Sequence, residues 1–251
     1  MIINAPKPCH EEALRGLWQQ AFGDDDGFLD GFFSVGFSRD RCLCLWQDTV
    51  LCAALYWFDC TWQGRKIAYL YAVATERTQQ GKGYCRSLMD ATHKRLTAQG
   101  YAGAILVPGS ESLFRFYGKM GYTPCCPMTK TESSAVSTAA KIHRITATEY
   151  AKLQKNFLPA DSVFHSQLTL AFAGTFAKFY RGDDFAFCGG EEDGVFYFQE
   201  FLGNGESLPA VLSALNAQKG VYRRPGGNGF AMYYPLDEDT DLPSYFAIPL
   251  N

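Results

Sequence analysis

Gly81 and Gly83 stand in the run Gln80-Gly81-Lys82-Gly83-Tyr84-Cys85, between a strand-like apolar stretch and an amphipathic helix. Glycine lets a backbone turn sharply and approach an anion with no β-carbon in the way. A helix beginning there has unpaired first-turn N–H groups and the positive end of its dipole facing the turn, which attracts phosphate oxygens. The run is therefore a candidate pyrophosphate site. A Gly-rich strand-to-helix connection without a ligand has the same composition, so its surroundings decide between the two.

Those surroundings belong to a chain of 251 residues, enough for one large domain or two smaller ones. With 47% hydrophobic and 20% charged residues and many Phe and Tyr, a packed core is expected rather than disorder. The net charge of −3 and the lack of a basic tract argue against broad nucleic-acid binding. No apolar run reaches the roughly 20 residues that cross a bilayer, and MIINAPKPCHEE lacks the features of a signal peptide, so a cytoplasmic location is the expectation. The nine cysteines are odd in number and scattered, unlike a disulfide framework. His10, His93, His143 and His165 show no ligand spacing, and no metal is expected.

Hydrophobic periodicity predicts a short strand at Ile2-Ile3, a helix from about His10 to Phe22 and a second from Asp26 to Phe37. Strands follow at Cys42 to Trp46, Leu51 to Thr61 and Lys66 to Thr75, as an antiparallel meander. Leu88, Met89, Thr92 and Leu96 line one face of a helix ending near Gly100; a strand from Ala102 to Val107 and a helix from Ser110 to Met120 come next. Residues 131–140, rich in small polar residues, read as a linker between residues 1–130 and 141–251. Beyond it the order of elements repeats. A strand from Lys141 to Arg144 and helices from Thr146 to Phe157 and Phe164 to Phe179 precede strands at Phe185 to Cys188 and Val195 to Phe201. Gly203-Asn204-Gly205 and a helix from Ser207 to Ala217 complete what reads as a degenerate second copy.

Residues 66–122 resemble the GCN5-related N-acetyltransferases (GNAT). YLYAVAT at 69–75 followed by QQGKGYCRSLM at 79–89 is similar to the family's (Q/R)-x-x-G-x-(G/A) loop, with Cys85 where Gly or Ala is usual. GAILVPGS at 103–110 looks like the next strand, and FYGKMGY at 116–122 resembles the FYxxxGF signature. The resemblance implies an α/β fold with a mixed, mostly antiparallel sheet flanked by helices. The doubling suggests the tandem members, in which usually one domain keeps the cofactor site.

It further implies an acetyl-CoA-dependent enzyme, with the pantetheine arm lying between two splayed parallel strands, here 66–75 and 102–107. Val73, Ala74 and Thr75 would meet that arm, with an N–H near Val73 stabilising the charge that builds on the thioester oxygen. The amides of Gly81, Lys82, Gly83, Tyr84, Cys85 and Arg86, entered through Gln80, would take the pyrophosphate. Ser110 stands where the family often has Asn. Tyr117 is at the position of the acid that protonates the departing thiolate. Glu76 and Glu111 are candidate bases, each with plain solvation as the alternative. Asp24-Asp25-Asp26 either favours a cationic amine or caps a helix. The expected acceptor is a small-molecule or peptide amine. A larger acyl or aminoacyl donor, and a non-catalytic CoA-binding module, are the competing readings.

Overall fold

In the computed structural model, residues 1–239 and 241–250 are described, and the chain forms two compact units. Unit 1 comprises Met1–Thr123 and Met232–Asp241, and unit 2 comprises Pro124–Ala231 and Leu242–Asn251. The boundary expected at residues 131–140 is corrected on both counts. Thr123–Ser134 is a strand, and the segment beyond it is tied down by Ala135 and Ala140 N–H bonds to Gln218 and Ala210 carbonyls (3.0 and 2.9 Å). Small polar residues read as a linker, yet here they alternate along a strand and bond to their own unit.

In unit 1, β1 (Ile2–Asn4), α1 (Glu11–Phe22), α2 (Asp26–Gly31), β2 (Cys42–Gln47), β3 (Val50–Trp62) and β4 (Arg65–Thr75) come first. α3 (Tyr84–Ala98), β5 (Gly103–Leu106) and α4 (Glu111–Gly118) follow. Strands β2 to β4 form the expected antiparallel meander, β1 pairs antiparallel with β2, β5 lies parallel to β4, and Met232–Pro235 pairs antiparallel with β5. Side chains alternate across a strand, so β3 serves two cores. Leu55 and Trp57 join Leu88, Met89 and Leu96 of α3 in one, while Tyr56 and Phe58 join Trp18 of α1 and Phe32 in an aromatic layer on the other. That double burial explains why β3 reads as an almost unbroken apolar run.

The acidic run between the first two helices is used locally. Asp25 Oδ1 accepts from Phe28 N–H (2.8 Å) as the N-cap of α2, Asp24 accepts from Trp18 Nε1 (2.7 Å), and Asp26 accepts from Gln19 Nε2 (2.7 Å).

Unit 2 contains β6 (Thr123–Ser134), β7 (His143–Ile145), α5 (Ala147–Phe157), β8 (Ser162–His165), α6 (Gln167–Phe176) and β9 (Lys178–Arg181). It continues with β10 (Phe185–Glu192), β11 (Val195–Gly203), α7 (Leu208–Ala214), β12 (Lys219–Pro235), whose end returns to unit 1, and β13 (Tyr245–Phe246). The single helix expected over 164–179 is a strand, a helix and a strand. Ser166 caps α6 by accepting from Thr169 N–H (3.3 Å), which excludes Phe164 and His165 from the helix, and Ala177 is extended. As in unit 1, an antiparallel pair (β10, β11) leads through a helix to a strand, β12, that runs parallel to the second of the pair.

Glu200 of β11 is buried among three donors: Tyr150 and Gln154 on Oε2 (3.0 and 2.7 Å) and Tyr245 on Oε1 (3.1 Å). Burial nevertheless pushes its pKa up to about 7 from 4.5, against the pull of those donors. A folded-state pKa above the unfolded one gives stability that is full below pH 4.5 and is lost as pH rises through about 7. Relative to the natural chain, Glu200→Gln should therefore gain about 3 kcal/mol in unfolding free energy between those limits, read by urea melts across pH.

Candidate functional site

Pairing between β4 and β5 stops after Ile67↔Gly103, Ala68↔Ala104 and Tyr69↔Ile105. The next residues of β4 therefore run on without a β5 partner. Just past that point β4 bulges: Tyr71 faces Tyr56 and Ala74 faces Ala54, so Ala72 and Val73 together oppose Leu55. Ala72 takes φ 48°, a left-handed conformation disfavoured for a residue with a β-carbon. A bulge re-aims the backbone groups around its extra residue, here at Ala72 and Val73, with Ala74 and Thr75 following. Val73 also packs its side chain on the α3 core.

From Thr75 the chain passes Glu76 and a short 3₁₀ turn (Arg77–Gln79) into the glycine run. Gln80 Nε2 donates to the Thr75 carbonyl (3.3 Å), tying the loop to the end of β4. Gly81 and Gly83 have φ 77° and 80°, and a β-carbon at either would meet no atom within 4 Å. The glycines are thus required by backbone conformation, and the space above them is open. Gly83 is the N-cap of α3 and supplies no side-chain cap; the first turn contains no acidic residue. The first i→i−4 bond is Ser87 N–H to the Gly83 carbonyl (3.1 Å), so the amides of Tyr84, Cys85 and Arg86 precede the helical ladder. These features suit a bound anion.

Other side chains of the run are already engaged. Lys82 Nζ donates to Gln79 Oε1 (2.9 Å), and Arg86 Nη2 donates to the Lys119 carbonyl beyond α4 (3.3 Å). Tyr84 and Cys85 rest on the core. Burial raises the Cys85 pKa to about 11, partly offset by Arg86, so it is a thiol packed against its neighbours.

Ser110 caps α4, its Oγ accepting from Leu113 N–H (3.4 Å) and lying 2.8 Å from Ser112 Oγ. Tyr117 is buried in α4, and its hydroxyl has no hydrogen-bond partner among the described residues. Burial, and then the neighbouring Cys85, raise its pKa, so it keeps its proton at neutral pH. Among the described residues no group of His, Cys, Asp and Glu could hold a metal ion.

The acetyltransferase (GNAT) domain model matches residues 4–125. Residues 4–125 belong to the GNAT family. No protein of curated function matches the sequence. Among solved structures, a GCN5-related N-acetyltransferase from Kribbella flavida aligns with TM-score 0.72 at 16% identity over 94% of this chain and 71% of its own. One from Anabaena variabilis gives TM-score 0.72 at 11% identity over 94% and 73%. A putative acetyltransferase from Pyrococcus horikoshii gives 0.65 at 11% identity over 98% and 94%. At these identities the likeness is one of fold, and it extends over both units.

Within the GNAT domain, the bulge of β4, the run from Gln80 to Arg86 at the start of α3, and Tyr117 of α4 all lie in one unit. Glu76 is engaged otherwise. Its Oε2 accepts from Thr78 N–H (2.8 Å) and its Oε1 from Gln20 Nε2 (3.1 Å); bonds from Thr78 and Gln20 lower its pKa. Glu111 is exposed, with Arg115 Nη1 at 4.0 Å. A groove of about 470 Å³ in unit 1, beside Lys7, Glu11, Phe37 and Arg39, includes none of the expected cofactor residues.

Sequence reasoning missed a buried network behind Tyr117. His93 Nε2 lies 2.7 Å from Tyr122 Oη, and the imidazole stacks on Tyr234 at 4.2 Å and 14°. Tyr122 meets Tyr117 edge-on, with centroids 5.8 Å apart. The signature's Gly121 has φ 94°, and a β-carbon there would come within 3.0 Å of the Tyr234 ring. The one available sequence signal was that Tyr122 ends the signature.

Burial lowers the His93 pKa from 6.5 to about 4, against the opposing pull of Asp90. The unfolded chain therefore binds this proton first, and stability falls as pH drops from 6.5 towards about 4. Replacement by Gln should remove up to about 3 kcal/mol of acid sensitivity over that range, read by comparing denaturant midpoints of His93→Gln and the natural chain.

Proposed function

We infer that this protein is an acetyl-CoA-dependent N-acetyltransferase acting on a primary amine by direct attack in a ternary complex. The observation that carries the reading is the uncapped start of α3, beneath the open glycine turn and next in sequence to the strand that parts from β5. Diphosphate oxygens would meet the amides of Gly81 through Arg86 without displacing a side-chain cap. An amide-bearing arm would continue the unpaired edge of β4 at Val73, Ala74 and Thr75, as an added strand does. Ser110 would support this pocket from the start of α4.

The re-aimed Val73 N–H would stabilise the negative charge that builds on the thioester oxygen as the amine attacks, a task for a fixed donor. The new C–N bond forms as the C–S bond breaks. Tyr117, neutral and unpaired, would give its proton to the departing thiolate. Water or a carboxylate such as Glu76 would receive the amine's proton, and solvent would restore the tyrosine. The acceptor is a small-molecule or peptide amine. Residues 124–231 and 242–250 are best read as a degenerate second copy, supported by the repeated element order and by GNAT-fold neighbours that span both units.

The test is a panel of amines with acetyl-CoA and thiol release as readout. Tyr117→Phe should lower kcat by about 10²-fold while leaving CoA affinity in place. A panel without any thiol release but with CoA binding would favour the non-catalytic module. Gly83→Glu should abolish CoA binding, and retained binding would sink the pyrophosphate assignment.

Glu76→Gln separates two roles for that carboxylate. As a base its loss costs about 10²-fold in kcat; as a cap its loss lowers the melting temperature and leaves kcat close to that of the natural chain.

A further inference from the structure

Helix α3 begins at the glycine turn and carries a second feature further along. Cys85, Met89 and His93 are spaced four residues apart, so they lie along one face of the helix over a rise of about 12 Å. That face meets the segment from Tyr117 to Tyr122. Met89 shares a core with Tyr117 and Tyr122, Cys85 packs against it, and His93 Nε2 lies 2.7 Å from Tyr122 Oη. Nearer the start of α3, Arg86 donates to the Lys119 carbonyl (3.3 Å). The segment is therefore tied to α3 by hydrogen bonds at two points.

Tyr117 has a positional need that these ties meet. Its hydroxyl has no hydrogen-bond partner among the described residues, so the place of the ring is set by what packs against its sides. Phe116 meets it edge-on at 5.4 Å but is itself exposed. Tyr122 meets it edge-on at 5.8 Å, is buried, and also donates its N–H to the Tyr117 carbonyl (3.2 Å). Of these two neighbours, Tyr122 is the one able to act as a fixed wall.

A wall is fixed only if its own far end is held. The Tyr122 hydroxyl is held by His93, and the imidazole is held in turn by stacking on Tyr234 at 4.2 Å and 14°. Packing alone does not account for a histidine here. Its neighbours on the buried stripe of α3 are Leu88, Met89 and Leu96, and the other polar residue, Thr92, returns its hydroxyl to the Leu88 carbonyl of the same helix (2.8 Å). His93 instead reaches across to another element. The helix that would hold a diphosphate at its first turn thus holds the tyrosine wall about two turns further on.

We propose that His93 is a positioning residue, which fixes the Tyr117 ring through Tyr122 and so sets the proton donor in register with the amides at the start of α3. This rests on Tyr117 as the acid of the proposed reaction and adds to it a requirement for a residue that acts only through another. A donor displaced by about 1 Å can cost about 10²-fold in rate. Loss of the brace is therefore read in kcat rather than in CoA binding.

The test compares His93→Leu, His93→Gln and Tyr122→Phe in the full-length chain, each with Tyr117 and with Tyr117→Phe, by steady-state kinetics on an amine from the panel. Glutamine brings a hydrogen-bonding group close to the place of Nε2, and leucine brings none. His93→Leu and Tyr122→Phe should each lower kcat about tenfold and leave KM for acetyl-CoA within about twofold, and His93→Gln should recover most of the loss. With Tyr117→Phe in place, the same substitutions should change kcat by less than about twofold, because no donor is left to position. An unchanged kcat in His93→Leu, or an equal loss in the Tyr117→Phe background, would overturn the proposal. Should His93→Leu melt below the assay temperature, Tyr122→Phe decides by the same criteria. Ring-flip rates of ¹³C-labelled Tyr117, measured by NMR, read the brace without turnover and should rise about tenfold in His93→Leu and fall back in His93→Gln. A flip rate that does not change would also overturn it. An unchanged kcat in Tyr117→Phe, or no thiol release from any amine, would sink the acid role of Tyr117 by itself, and the flip rates still decide whether His93 fixes that ring.

Discussion

A parallel strand pair that stops pairing early exposes backbone hydrogen-bonding groups inside a fold, and the GNAT domain is arranged around that exposure. Such groups are costly when buried without partners, so the parting must be enforced. The bulge at Ala72 and Val73 breaks the register on the β3 side, and the left-handed Ala72 stores strain of about 1–3 kcal/mol. Packing holds it in place, since Val73 and Leu70 rest on the α3 core. At the other end of the fork, Gly103 lets the Tyr233 ring come so close that no side chain could replace its hydrogen. β5 is thus fixed where it pairs and released where it does not.

The remaining features of unit 1 follow from keeping this fork rigid. One face of the sheet is an aromatic layer in which Trp18 contacts Phe32, Tyr56 and Tyr71 within 5.6 Å. Its indole N–H is satisfied by Asp24, so burying the largest side chain leaves no orphan donor. On the other face, Tyr117, whose hydroxyl has no hydrogen-bond partner among the described residues, is braced by a tyrosine whose own hydroxyl is paired with His93. The Tyr122 hydroxyl is thus engaged by His93, and the bracing ring makes no claim on the hydroxyl of Tyr117.

How much of this was legible in the sequence depended on the range of the cause. The turn at Gly81 and Gly83, the apolar stripe of α3 and the meander rest on local conformation and periodicity, and they were readable. The cap role of Asp25 was one of two readings, and local geometry decides it. The bulge left no mark, because alanine in a left-handed conformation is imposed by the partner strand. His93 looked like a lone histidine, since its partners Tyr122 and Tyr234 are distant in sequence. Most opaque was β12. Its Arg-Pro-Gly-Gly-Asn-Gly stretch has the composition of a loop, and the return of Met232–Pro235 to pair with β5 is a contact that no window of sequence contains.

The two glycine turns show why composition alone does not distinguish a turn left open for an anion from one that has closed on itself. Both follow a strand that has just parted from a parallel neighbour, and both precede a helix. At Gly83 the cap residue has no side chain, the first turn has no acid and the space above is empty. At Gly205 the preceding Asn204 turns its own carbonyl onto the free N–H, and Glu206 places a carboxylate where a phosphate would sit. One residue type before the helix therefore decides whether its amides are satisfied from within or left for a ligand. α7 is also only seven residues long, against fifteen in α3, and carries less of a dipole to attract an anion. A turn that has met its own hydrogen-bonding needs has lost the reason to bind phosphate, even though the strands beside it still part.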